Sequence, residues 1–267
     1  MHLIAFIHRA GKKDIAVKKV FLPLFAALAL IPAPLHAAHP LITEDTGTQG
    51  QGKYQLELNT EHGRERDGVS EDTVKSTAAL SYGFRDNADV IFALPYQRTS
   101  TETDGVLTRQ SGAADAGVDI KWRFIEHENV SLAVKPGITF STGDENKGLG
   151  AGRTSYSMFF VTSFEHDPWA FHVHLGYLRN LNSVDERKGL HHSSFAVVYG
   201  VDKSLKLVAD IGTNTNKDKT NYIDPAFLIV GFIFSVNHTL DVDVGYKKGM
   251  TDPELDRTLL AGVTLRF

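Results

Sequence analysis

The chain has 267 residues, no cysteine, a formal charge of −4 and a mean hydropathy of −0.17. Hydropathy this low argues against a bundle of membrane helices, since each span needs about 20 mostly apolar residues. The missing cysteines exclude a disulfide framework, a thiolate metal site and a cysteine nucleophile, and the charge leaves no footprint for a nucleic-acid partner.

The long apolar run is Val20 to Leu35, preceded by Lys12, Lys13, Lys18 and Lys19 and followed by Ala37 and Ala38. A basic region, a short apolar core and a small-residue exit read as a secretory signal peptide. Pro23, Pro32 and Pro34 argue against a membrane anchor. Residues 1–37 are therefore expected to be removed on export. The remainder carries 23 Lys and Arg against 31 Asp and Glu. Residues 38–51 read as a periplasmic N-terminal segment, too short to form a plug domain, and residues 52–267 as the main fold.

From there the chain shows almost no helical periodicity. Twelve stretches alternate apolar with polar positions, the pattern of strands with two unlike faces. The first has Tyr54, Leu56 and Leu58 against Gln55, Glu57 and Asn59. Later ones include Val90, Phe92, Leu94 and Tyr96; Val118, Ile120, Trp122 and Phe124 against Asp119, Lys121 and Arg123; Phe171, Val173, Leu175 and Tyr177 against His172 and His174; and Leu240, Val242, Val244 and Tyr246 against Asp241 and Asp243. The tenth, residues 225–235, is apolar on both parities, so its facing stays open.

The connections alternate. Tight turns such as Arg85-Asp86-Asn87 follow even stretches, and long polar segments (61–71, 99–111, 143–153, 179–190, 214–224 and 248–256) follow odd ones. Short turns at one end and long loops at the other predict an all-β, 12-stranded antiparallel transmembrane barrel of the outer-membrane type, with periplasmic turns and extracellular loops. Aromatic residues fall at both strand ends: Phe84, Phe124, Phe164, Tyr199, Phe234 and Phe267 below, and Tyr96, Phe140, Tyr177 and Tyr246 above. Such rings form the interfacial belts of membrane barrels. A soluble β-sandwich or lipocalin-like barrel is the alternative; there the apolar parity would point inward.

Two segments carry a family resemblance. His39-Pro40-Leu41-Ile42-Thr43-Glu44-Asp45-Thr46-Gly47-Thr48-Gln49-Gly50 resembles the opening of bacterial outer-membrane transporters of the family described as "putative meta-pathway of phenol degradation". Ser141-Thr142-Gly143-Asp144, followed by Lys147-Gly148-Leu149-Gly150, resembles a loop of the same family. The resemblance implies an outer-membrane channel, with small aromatic or apolar molecules as its solutes.

If the apolar parity faces lipid, the other lines a lumen. The lumen-lining candidates are Asp115, Asp119, Lys121, Arg123, Lys135, His172, His174, Lys206, Asp210, Asp241 and Asp243. His172 and His174 share a face, but a metal site needs a third ligand, for which Asp210 or Asp241 would have to come close. His191 and Ser193 share the opposite, lipid-facing parity, the arrangement a lipid-hydrolysing barrel could use. The expected partners are outer-membrane lipid and lipopolysaccharide, the barrel-assembly machinery through Phe267, and a small solute. No cofactor and no resident metal is expected. The reading is a passive uptake channel and not an enzyme, with a lipid hydrolase or a closed structural barrel as alternatives.

Overall fold

The computed structural model describes residues 39–65, 70–103 and 105–267. The expected signal segment, residues 1–37, lies outside the described residues. Twelve antiparallel strands run β1 (Tyr54–Glu65), β2 (Ser70–Arg85), β3 (Ala88–Thr103), β4 (Val106–Ala113 continuing as Gly117–His127), β5 (Val130–Thr139), β6 (Ser155–His166), β7 (Trp169–Arg179), β8 (Gly189–Gly200), β9 (Leu205–Asn214), β10 (Ala226–Asn237), β11 (Leu240–Gly249) and β12 (Arg257–Arg266). Each pairs with its sequence neighbours. β1 pairs with β12 from Gln55–Arg266 to Arg64–Arg257, which closes the sheet. Closure leaves no strand edge unpaired, the condition for backbone to cross hydrocarbon.

The faces settle the choice between a membrane barrel and a soluble one. Outward side chains are large and apolar: Leu94 is 65% exposed, Phe160 56% and Leu259 59%. Inward ones are polar and buried: Asp89 and Asp210 are each 1% exposed. A soluble barrel would show the reverse. The aromatic belts are present, and their rings touch. At the turn end Tyr54 stacks between Tyr82 (4.7 Å) and Phe267 (5.7 Å). Trp169 packs on Tyr199 at 4.6 Å and on Phe171 at 6.2 Å.

Two details depart from the sequence expectation. Segments 61–71 and 99–111 were expected as loops, yet most of each is strand, because β1 to β4 rise past the apolar band. Both parities are polar there, which hides the alternation. Cross-strand bonds hold the pairing instead: Thr60 with Ser76 at 3.1 Å, His62 with Asp72 at 2.9 Å and Thr73 with Thr99 at 3.1 Å.

The second departure is the break in β4. Residues 114–116 face only Leu94 and Pro95, so one residue is extra. Pro95 has no N–H to give the ladder, which suits an interruption there. The bulge turns Asp115 toward the next loop. Its carboxylate accepts from Gly143 N–H (2.9 Å) and Ala151 N–H (2.7 Å) and so pins the glycine-rich segment at the loop end. Within that segment Asp144 caps a short 3-10 turn, Glu145–Lys147, closed by Gly148 at φ 68°. A hydrogen bond from Lys147 holds the Asp144 carboxyl below the usual carboxylate range.

Candidate functional site

Residues 38–51 were expected as a periplasmic N-terminal segment, too short to form a plug domain. The structure shows otherwise: residues 39–49 lie inside, clamped to the inner wall of the turn half. No domain is needed, because extended chain spans about 3.3 Å per residue and offers two backbone polar groups at each step.

The clamps are specific. Asp210 on β9 accepts from the backbone N–H of Ile42 (2.8 Å) and Thr43 (2.8 Å) and from the Thr43 hydroxyl (2.7 Å). That hydroxyl also reaches Ser194 Oγ at 2.7 Å. Glu44 sits between two lysines, with Lys121 of β4 at 2.8 Å and Lys135 of β5 on its other oxygen. Asp45 stands 3.7 Å from Lys121. Thr46 donates its N–H to Ser163 Oγ at 3.1 Å and shares a hydroxyl bond with Ser131. Gln49 N–H bonds both oxygens of Asp89, at 3.1 and 3.0 Å. His39 Nδ1 meets Asp243 at 2.5 Å.

Apolar contacts explain the tenth stretch. In β10, Leu228, Val230, Phe232 and Phe234 point to lipid, while Phe227, Ile229 and Ile233 point inward and are buried. Ile233 joins Ala170, Val198 and Val208 in a cluster against which Leu41 packs. The Pro40 ring lies over Gly245, where an added Cβ would come within 2.7 Å of Pro40 Cβ. At Ile233 and Gly231 the inner wall of β10 is apolar where Leu41 and Pro40 of the N-terminal segment lie on it, while Phe227 and Ile229 are buried with Leu260 of β12.

The eleven sequence-derived lumen candidates divide by partner. Lys121, Lys135, Asp210 and Asp243 grip the N-terminal segment. Asp115 serves the loop-end strap instead. Asp119 folds over Gly137, its Oδ1 1.9 Å from where a Cβ would stand. Arg123 pairs with Glu126 at 3.1 Å, and Asp241 with Arg266 at 2.8 Å, both near the turn end. Lys206 faces inward at the same level, half-buried. His172 Nδ1 bonds Ser163 Oγ at 2.8 Å.

His174 has other company. Its ring centroid lies 4.7 Å from Phe159 and 4.8 Å from His192. His192 bonds Asn214 at 2.8 Å and Ser194 at 2.9 Å, whereas neither His174 nitrogen has a hydrogen-bond partner among the described residues. With Asp210 committed to Thr43 and Asp241 to Arg266, the third ligand considered for the histidine pair does not arrive. Among the described residues no three His, Cys, Asp or Glu side chains gather at metal distance. His191 and Ser193 point outward as expected. His191 packs on Tyr177 at 5.2 Å, and no hydrogen bond joins it to Ser193 among the described residues.

Phe159, His192, Ser131, Ser163 and Ser194 were not singled out from the sequence. Phe159 sits in the run Met158-Phe159-Phe160, where the outward parity masks it. The serines carried no pattern at all.

Comparison with known proteins agrees with this architecture. Among solved structures, the NanC porin matches with a TM-score of 0.52 at 10% identity, over 79% of this chain and 98% of that one. The KdgM porin matches at 0.53 and 9% identity, over 80% and 99%. The β domain of the Bordetella autotransporter BrkA matches at 0.54 and 12%, over 82% and 100%. At such identities the likeness is one of fold. No curated protein is similar in sequence. The family model described as "Putative MetA-pathway of phenol degradation" matches residues 39–267, the N-terminal segment and the whole barrel together, and the chain belongs to that family.

Proposed function

We propose that the protein is an outer-membrane channel for passive entry of small solutes, aromatic or apolar compounds among them. It would be exported with residues 1–37 removed, its turns in the periplasm and its loops outside the cell. The observation that carries this reading is the pairing of a lipid-facing apolar exterior with an inner wall rich in buried charged and polar side chains, Asp89, Lys121, Lys135, Asp210 and Asp243 among them, and open space at the loop end. A purely structural barrel has no need of such an interior. About 12 strands enclose a bore between that of a filled 8-stranded barrel and a wide 16-stranded pore.

Residues 39–49 form the constriction of the proposed path. A solute either passes beside them or waits until they leave the wall. Glu44 and Asp45 balance Lys121 and Lys135 locally, so the constriction favours neutral solutes over ions. Planar-bilayer conductance and liposome flux, with aromatic, sugar and anionic solutes, test the proposal. Flux of small neutral solutes is the expected outcome. A barrel that passes neither ions nor any solute would overturn it in favour of a closed structural role.

A further inference from the structure

The turn half of the lumen is occupied by the chain itself, but the loop half holds a cavity of about 560 Å³. That is ample for a small organic molecule, since ligand pockets run from about 300 to 1,000 Å³. Ile42 of the N-terminal segment lines it, together with Phe159, Leu178 and Leu190 on the wall and Lys217 and Pro225 in the loop region. Gly176 on β7 leaves free the space that Phe159 fills: a Cβ there would stand 2.2 Å from the ring. The ring thereby packs on His174 at 4.7 Å, tilted by 38°.

His174 is the anomaly among the polar side chains of this lining. It is 4% exposed, it lines the cavity, and both ring nitrogens lack a hydrogen-bond partner among the described residues. Buried polar atoms are rarely left so, because each costs free energy unless paired. A neutral imidazole offers one donor and one acceptor. A hydroxyl group answers either of them. Ile42, Phe159, Leu178 and Leu190 ask for apolar surface, and the other polar side chains of the lining are already engaged, His192 with Asn214 at 2.8 Å, Asn216 with the Ile223 carbonyl at 2.8 Å and Lys217 with Glu186 at 3.9 Å.

We propose that this cavity is a binding site for a small neutral molecule, apolar over most of its surface, whose hydroxyl group engages His174. The site rests on the channel reading above and deepens it: it lies directly before the constriction, where a solute would pause. Ile42 belongs to both, so an occupied site touches the segment that must yield.

The test compares benzyl alcohol with toluene, which differ by one hydroxymethyl group, on the folded full-length barrel in detergent. Saturation-transfer NMR reads binding, with empty micelles as the control for partitioning. Benzyl alcohol is expected to bind about 10- to 100-fold more tightly than toluene, the span of one hydrogen bond to a buried partner. His174→Phe keeps a ring and loses both nitrogens; it should erase the preference. Leu178→Trp fills the cavity from a different position on β7 and should abolish binding of both probes. Heat-modifiable mobility verifies that each variant is folded. Equal affinities, no binding, or binding unchanged in Leu178→Trp would each overturn the site. Conductance on the same preparation separates the two ideas. Conductance without binding leaves the channel and removes the site; selective binding without conductance or flux does the reverse.

Discussion

Asp210 is the strongest single fastening of the N-terminal segment, and replacing it has a calculable effect. The carboxylate is 1% exposed and accepts three hydrogen bonds at 2.7–2.8 Å, two from backbone N–H groups and one from the Thr43 hydroxyl. Asp210→Ala removes the acceptor for all three. Net contributions of about 1.5 kcal/mol per bond to a charged acceptor, partly offset by relief of burying the carboxylate, give a loss of about 2–4 kcal/mol in docking. The ratio of docked to free segment then falls about 30- to 1,000-fold. Asp210→Asn keeps one carbonyl oxygen for the two backbone donors and should cost about tenfold or less. Single-channel recording reads the change as longer or more frequent openings, in the order Ala, Asn, parent. The chain has no cysteine, so a lone Leu41→Cys reports release independently through its rate of maleimide labelling. If Asp210→Ala labels and conducts as the parent does, the clamp is not what holds the segment, and the gating argument fails.

Other perturbations probe separate contacts. Glu44→Gln leaves Lys121 and Lys135 facing a neutral amide, so the constriction gains positive charge; reversal potentials in a salt gradient should move toward anion preference. Unchanged selectivity would place the ion path away from Glu44. Gly245→Val puts methyl groups where Pro40 lies, the Cβ alone already at 2.7 Å, and should raise conductance while the folded barrel keeps its gel mobility. A variant with parental conductance would show that Pro40 is free to move aside. Phe267→Ala removes the ring stacked at 5.7 Å on Tyr54 at the closing seam and the proposed assembly signal. The heat-modifiable fraction in cell membranes should fall several-fold, and equal assembly would remove Phe267 from that role.

Much of the barrel can be read from the chain because strand facing is a local property. Each residue of β11 reports its own side: Asp241 and Asp243 inward, Val244 and Tyr246 outward. The same rule fails above the membrane, where Thr60 and Ser76 are polar whichever way they point. It fails again at β10, where both faces are apolar. Part of that double pattern traces the occupied lumen, since Ile233 lies in the cluster that Leu41 covers, whereas Phe227 and Ile229 are buried with Leu260.

The low mean hydropathy is thus resolved at period two, and the sequence alone sets the strand number, the belts and the facing of every strand but the tenth within the apolar band. It does not determine what fills the barrel. His39-Pro40-Leu41-Ile42-Thr43-Glu44 has no periodicity and reads as part of a periplasmic segment. Its partners lie far along the chain, Asp210 at 167 residues from Thr43 and Asp243 at 204 from His39. Those carboxylates and lysines converge only once β1 has paired with β12 and the wall is closed. Hydrogen bonds that exist only inside a completed cylinder have no local signature, so tertiary structure alone decided that this lumen holds the chain's own N-terminal segment.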